Sequence, residues 1–128
     1  KEEYIEKYGK EEYIATEMIA KELCLSEKIL DLLKHIGFSN VSENENEEFF
    51  ENKICNYSDM RVEPYGVTSM ENRIEDGHRR YAGDYDLLIQ SLRNIEKQIF
   101  AKCRIKPEDI TDKAVAPIIE KLRDFVVK

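Results

Sequence analysis

Histidine, cysteine, basic charge and long apolar runs are all scarce in this 128-residue sequence. Two histidines, His35 and His78, exclude any site that draws three histidines from these residues. The three cysteines, Cys24, Cys55 and Cys103, are an odd number at wide spacing, which is no disulfide framework. None makes the C-x2-C pair of a zinc site or a thiol-redox motif. Their apolar neighbours predict buried structural thiols, and a cytoplasmic, reducing location suits that usage. The longest apolar stretch, residues 114–119, is far short of the roughly 18 residues that suggest a membrane span. With 20 Lys and Arg against 27 Asp and Glu, the net charge is −7. That balance excludes a general nucleic-acid binder, which needs a basic face, but leaves room for a local basic cluster and a small phosphorylated ligand. A Gly-rich phosphate loop, an internal repeat and a low-complexity tract are also missing.

What is present is a globular composition. Hydrophobic residues make up 41% and charged residues 37%, too apolar for a disordered tail and too charged for a membrane protein. The length suits one domain with a real core. The first residue is Lys1 rather than Met, and no signal peptide opens there, so a processed product or the remainder of a longer chain is expected.

Apolar spacing is helical almost throughout. Ala15, Met18, Ile19 and Leu23 share one face, and Ile29, Leu32, Leu33 and Ile36 share another after a cap at Ser26 and before a stop at Gly37. Residues 38–46 read as a polar connector. A third helix is predicted over 47–62 with Phe50, Ile54 and Tyr57 inward, ended by Pro64 and Gly66. Thr68 and Glu71 have capping-box spacing and predict a fourth helix with Met70, Ile74 and Tyr81 inward. Its Glu75–Arg79 and Asp76–Arg80 pairs predict an exposed face. A fifth helix follows Asp84, carries Leu88, Leu92, Ile95 and Ile99, and stops before Pro107. A last helix, capped by Thr111 or Asp112, carries Val115, Ile118, Ile119, Leu122 and Val126. The expected architecture is all-α, one domain of about six helices.

The chemistry concentrates between Ile54 and Tyr81. There Ser58-Asp59-Met60-Arg61 ends a largely apolar helix. An aspartate beside an apolar face needs a partner, because burying a bare carboxylate is costly. Arg61, Arg73 or a helix N-terminus would serve, and so would a metal ion; spacing alone favours the salt bridge or cap. Arg61 and Arg73 could clamp a phosphate with their planar forks or simply neutralise Asp59 and Glu71. Tyr57, Tyr65, Tyr81 and Tyr85 could stack a base, although tyrosine on a helical stripe more often packs in the core with its hydroxyl at the rim.

The run ICNYSDMRV followed by VTSMENRIEDGHRRY resembles the C-terminal part of the HD superfamily of metal-dependent phosphohydrolases. The earlier stretch YIATEMIAKELCLSEKILDLLKHIGF is similar to the helix pair that follows the family's His-Asp doublet. The resemblance covers residues 13–81 and implies an HD-like helical core over 1–84, incomplete on its N-terminal side, with a helical extension over 85–128 packed on it. It implies a divalent metal ion, with Asp59 as the family's last metal ligand, and a nucleotide or other small phosphate ester as substrate, attacked by metal-activated water. Arg61 and Arg73 become candidate substrate-binding residues. No His-Asp pair occurs in the sequence, so the resemblance places the remaining ligands upstream of Lys1; the alternative is a metal-free, non-catalytic binding module of the same fold. Tyr13 stands where two-metal members carry one extra histidine, and His35 is followed by Ile36 where a second histidine is common, so a two-metal site is not expected. His35 then reads as an ordinary histidine near a helix end.

Overall fold

A computed structural model describes residues 2–80 and 83–126. Tyr81 lies outside the described residues. The chain is all-α. Its elements are α1 (Glu2–Tyr8), α2 (Glu12–Glu22), α3 (Glu27–Lys34), α4 (Val41–Asn46), α5 (Phe50–Met60), α6 (Met70–Arg80), α7 (Asp86–Phe100) and α8 (Asp112–Leu122). Short 3-10 turns occupy Phe38–Asn40 and Pro107–Asp109. A two-stranded antiparallel hairpin, β1 (Val62–Glu63) with β2 (Gly66–Val67), turns the chain through Pro64 between α5 and α6. No described helix is long and apolar enough to cross a membrane.

The core gathers around α7. Leu92, Ile95 and Ile99 are buried there with Val41 of α4, Tyr57 and Met60 of α5, and Met70 of α6. Phe50, Ile74 and Phe100 pack against this cluster from its edge. α4 makes the most extensive contact with α7. It replaces the connector expected at 38–46. Its sequence, VSENEN, has one apolar residue, so no periodicity announces it. Val41 is buried against α7, and the amides of Asn40 and Asn44 hold the chain locally. Asn40 Nδ2 donates to the Lys34 and Ile36 carbonyls at 2.9 and 3.0 Å.

α5 is shorter than expected and turned differently. Ile54 is 43% exposed, while Asn52, Lys53 and Asn56 are buried. The inward face is polar because protein carbonyls await it. Asn56 Nδ2 donates to the carbonyls of His35 (3.0 Å) and Gly37 (2.8 Å). Lys53 Nζ donates to the Glu45 carbonyl at 2.9 Å and to Gln98 Oε1 at 2.6 Å. Apolar periodicity points to an apolar face and misses a buried polar one of this kind. The cysteines also differ from expectation: Cys24 and Cys103 are exposed and Cys55 is half-buried. An apolar neighbour in sequence did not mean an apolar neighbour in space.

Caps settle two helix starts. The Ser69 hydroxyl accepts from Asn72 N (3.2 Å) at the start of α6, so Ser69 caps it rather than the expected, and buried, Thr68. Thr111 Oγ1 accepts from Ala114 N (3.3 Å) and caps α8 as expected. α7 ends at Phe100, before the Pro107 segment. α8 buries no residue. It is held at its start, where Asp112 Oδ1 accepts from Val67 N at 2.8 Å. Gly66 makes that approach possible: its φ is +138°, and a Cβ there would lie 2.5 Å from Asp112 Oδ1.

Candidate functional site

α2, the segment after α3, the end of α5 and one face of α6 enclose a pocket of about 520 Å3. Asp59 and Met60 enter it from the last turn of α5, and Arg73, Asp76 and His78 from α6. Glu12 and Tyr13 come from the first turn of α2. Phe38 and Tyr85 form an aromatic corner, with ring centroids 5.8 Å apart in an edge contact.

The backbone at Gly37 shapes the wall. Its φ is +119°, and a Cβ there would stand 2.7 Å from the Tyr13 hydroxyl oxygen. Glycine is therefore needed both for the conformation and for the room that Tyr13 takes. The same turn is tied from behind by Asn56, and Asn44 Nδ2 adds a 2.8 Å bond to the His35 carbonyl. The polar inner face of α5 thus fixes the segment that lines the pocket.

Charge in the pocket divides into spent and available groups. Asp76 is spent: Arg80 Nε lies 2.7 Å, Arg79 Nη2 3.4 Å and Arg73 Nη1 4.0 Å from its carboxylate oxygens. Glu12 and Asp59 have no salt-bridge partner within 4.0 Å among the described residues. The Asp59 carboxyl is held above the ordinary aspartate range, chiefly by lost hydration. The Arg73 charge pulls it down and the Glu12 charge pushes it up. Asp59 is thus a carboxylate that gains from an added cation or proton, and Arg73 is the nearby cation that an anion would meet.

The sequence-derived site residues separate. Asp59 and Arg73 line this pocket and Arg61 does not. Arg61 is 6% exposed. Its Nε donates to the Thr68 carbonyl (2.6 Å), Nη1 to the Tyr57 hydroxyl, and Nη2 to the Pro107 and Ile110 carbonyls (3.1 and 3.4 Å). The Tyr57 hydroxyl donates to Glu96 Oε2 at 2.6 Å. Burial and that carboxylate raise the Tyr57 pKa, so it stays a neutral donor. Arg61 therefore joins α5, the hairpin and the 107–110 segment. His35 ends α3, with Nδ1 3.5 Å from Glu47 Oε1. Tyr65 is almost fully exposed, Tyr57 is core, and Tyr85 alone of the described members of that set reaches the pocket.

Sequence reasoning missed Glu12 and Phe38 as pocket residues. Glu12 precedes the apolar pattern of its helix, and Phe38 falls in the stretch read as a connector. The Gly37 stop was the one signal that a turn with special geometry lay there.

A divalent ion of the kind the resemblance implies is commonly held by several oxygen or nitrogen donors. Among the described residues no group of three or more His, Cys, Asp or Glu side chains is placed to hold one. Asp59 offers one ligand, and these residues do not by themselves make a metal site. A scan against protein-family models, a search of curated proteins and a search of solved structures each found no match to this chain.

Proposed function

We propose that this chain is the pocket-bearing, C-terminal helical body of a metal-dependent phosphohydrolase acting on a nucleotide or other small phosphate ester. The observation that supports the reading is convergence. Asp59, matched to the family's last aspartate, and Arg73, in the segment matched to its Ser-x-Glu-x-Arg run, come from separate stretches and line the same pocket. In this reading Asp59 is one metal ligand, and the rest of the set comes from residues beyond those described. Arg73 receives the phosphate on its planar guanidinium. Arg61 keeps its N–H groups on protein acceptors and acts on the fold. No reaction step is drawn from this chain alone.

The second reading is a metal-free binding module. It is favoured by Tyr13, which stands in the pocket where two-metal members carry a histidine, and by the His-Asp doublet that the sequence does not contain; the Arg73 charge offsets part of the desolvation of Asp59 without a metal. One experiment separates the two. Bound divalent metal and phosphate release from p-nitrophenyl phosphate are measured on the full-length protein, on Asp59→Ala and on Arg73→Gln. The hydrolase reading expects metal and activity in the parent, loss of both in Asp59→Ala, and retained metal with a raised KM in Arg73→Gln. Unchanged metal content and activity in Asp59→Ala contradicts it. A parent protein that binds phosphate esters but neither holds metal nor releases phosphate selects the binding module.

A further inference from the structure

A second cavity of about 310 Å3 adjoins the first on the other side of Tyr13. Tyr13 and Ser39 line both cavities, so the two share a wall rather than lying on separate faces. Their chemistry differs. The first holds the carboxylates and arginines described above. Ile14, Leu30 and Leu33 of α2 and α3 give the second its apolar lining, and Thr16, Lys34, Ser39 and Asn40 its polar one. Glu17 at its rim is engaged by Lys21 at 2.6 Å. The wall residue is itself amphipathic. The Tyr13 hydroxyl is seated on Gly37, at the spot where any side chain would collide, and the residue remains more than half exposed.

We infer that the ligand of this protein is a two-part molecule, an anionic phosphate head on the Arg73 side of Tyr13 and an apolar arm passing Tyr13 into the Ile14–Leu30–Leu33 cavity. The inference rests on the phosphate-ester reading above and narrows it. A purely polar arm would cover Ile14, Leu30 and Leu33 without gaining from their burial, and would have only the side chains of Thr16, Lys34, Ser39 and Asn40 to replace its water. An apolar arm removes the same surface from water favourably.

The test uses two probes with one head and different arms, methylphosphonate and hexylphosphonate, whose carbon–phosphorus bond resists hydrolysis. Calorimetric titration of the full-length protein should find hexylphosphonate bound about ten-fold tighter or more, the factor expected from burying a few methylenes. Ile14→Asn changes an exposed side chain on α2 that is absent from the first cavity, so folding should survive, with circular dichroism as the control. It should bring hexylphosphonate to the methylphosphonate level and leave methylphosphonate unchanged. Leu33→Asn should do the same, and Arg73→Gln should weaken both probes by a similar factor. Equal affinity of the two probes for the parent protein overturns the two-part ligand while leaving the phosphate reading standing. A hexyl advantage that survives both Ile14→Asn and Leu33→Asn also overturns it, since the arm would then lie elsewhere. Failure of both probes to bind overturns the phosphate reading and this inference together.

Discussion

α5 and α7 pack against each other and share an apolar core through Tyr57 and Met60 of α5, yet α5 also buries a set of polar side chains. α7 turns Leu92, Ile95 and Ile99 inward, and its stripe could be read directly from the spacing. α5 turns Asn52, Lys53 and Asn56 inward and leaves Ile54 nearly half exposed. The first helix is held by excluding water, which asks only for shape and apolar surface. The second adds donors matched to the backbone carbonyls of His35, Gly37 and Glu45. The difference has a functional side. α7 stabilises the body, whereas the α5 amides fix the Gly37 turn that carries the pocket wall.

The largest effect should come from α7. Ile95→Ala is expected to cost about 2–5 kcal/mol in a denaturant melt, because a fully buried side chain leaves a cavity. A loss of a few tenths would mean that α7 is not the centre of the core. Asn56→Leu should follow, at about 1–3 kcal/mol. It leaves the Gly37 carbonyl without this donor, although it also removes the Asn56 Oδ1 atom, which is buried with no partner. The same variant should weaken binding of a phosphate probe in the pocket, which Ile95→Ala at equal stability should not. If both variants affect binding alike, the functional side of the contrast is gone.

Ile54→Ala sharpens the comparison from the other direction. A core position would have cost about 2–5 kcal/mol. At its observed exposure the cost should stay below about 1 kcal/mol in the same melt. The smallest effect belongs to Asp59 and is read through pH. Its folded pKa is raised, chiefly by lost hydration, so its contribution to stability is fully present below the unfolded aspartate pKa and is lost as pH rises through the folded one. Urea melts of Asp59→Asn should therefore show a shallower decline than the parent as pH rises from the unfolded value through the raised folded one. Identical slopes would show that Asp59 is fully hydrated and does not stand over the pocket.

Much of the fold was legible because an apolar stripe needs only its period to be seen. α2, α3, α6, α7 and α8 all fall where their spacing put them. α4 was not legible, because Val41 is its only apolar residue and its position depends on α7, far away in sequence. α8 shows the complementary limit. Ile118, Ile119 and Leu122 do form a face, but all three are exposed, and periodicity says which side is apolar without saying whether anything covers it. In the site, Asp59 and Arg73 were found from sequence pattern. Arg61 was grouped with them by its nearness to Asp59 along the chain, but at the end of α5 the two side chains leave in different directions. Glu12 and Phe38 belong to the pocket only through tertiary packing.

In the proposed function, Asp59, Arg73, Tyr13 and the Gly37 turn surround one ligand. The most direct measurement is a titration of isotope-labelled full-length protein with methylphosphonate, followed by amide chemical shifts. Shifts should concentrate at Tyr13, Gly37, Asp59 and Arg73, with Ile118, Ile119 and Leu122 of α8 unmoved. Shifts centred on α8, or none at the four pocket positions at saturating probe, would contradict it.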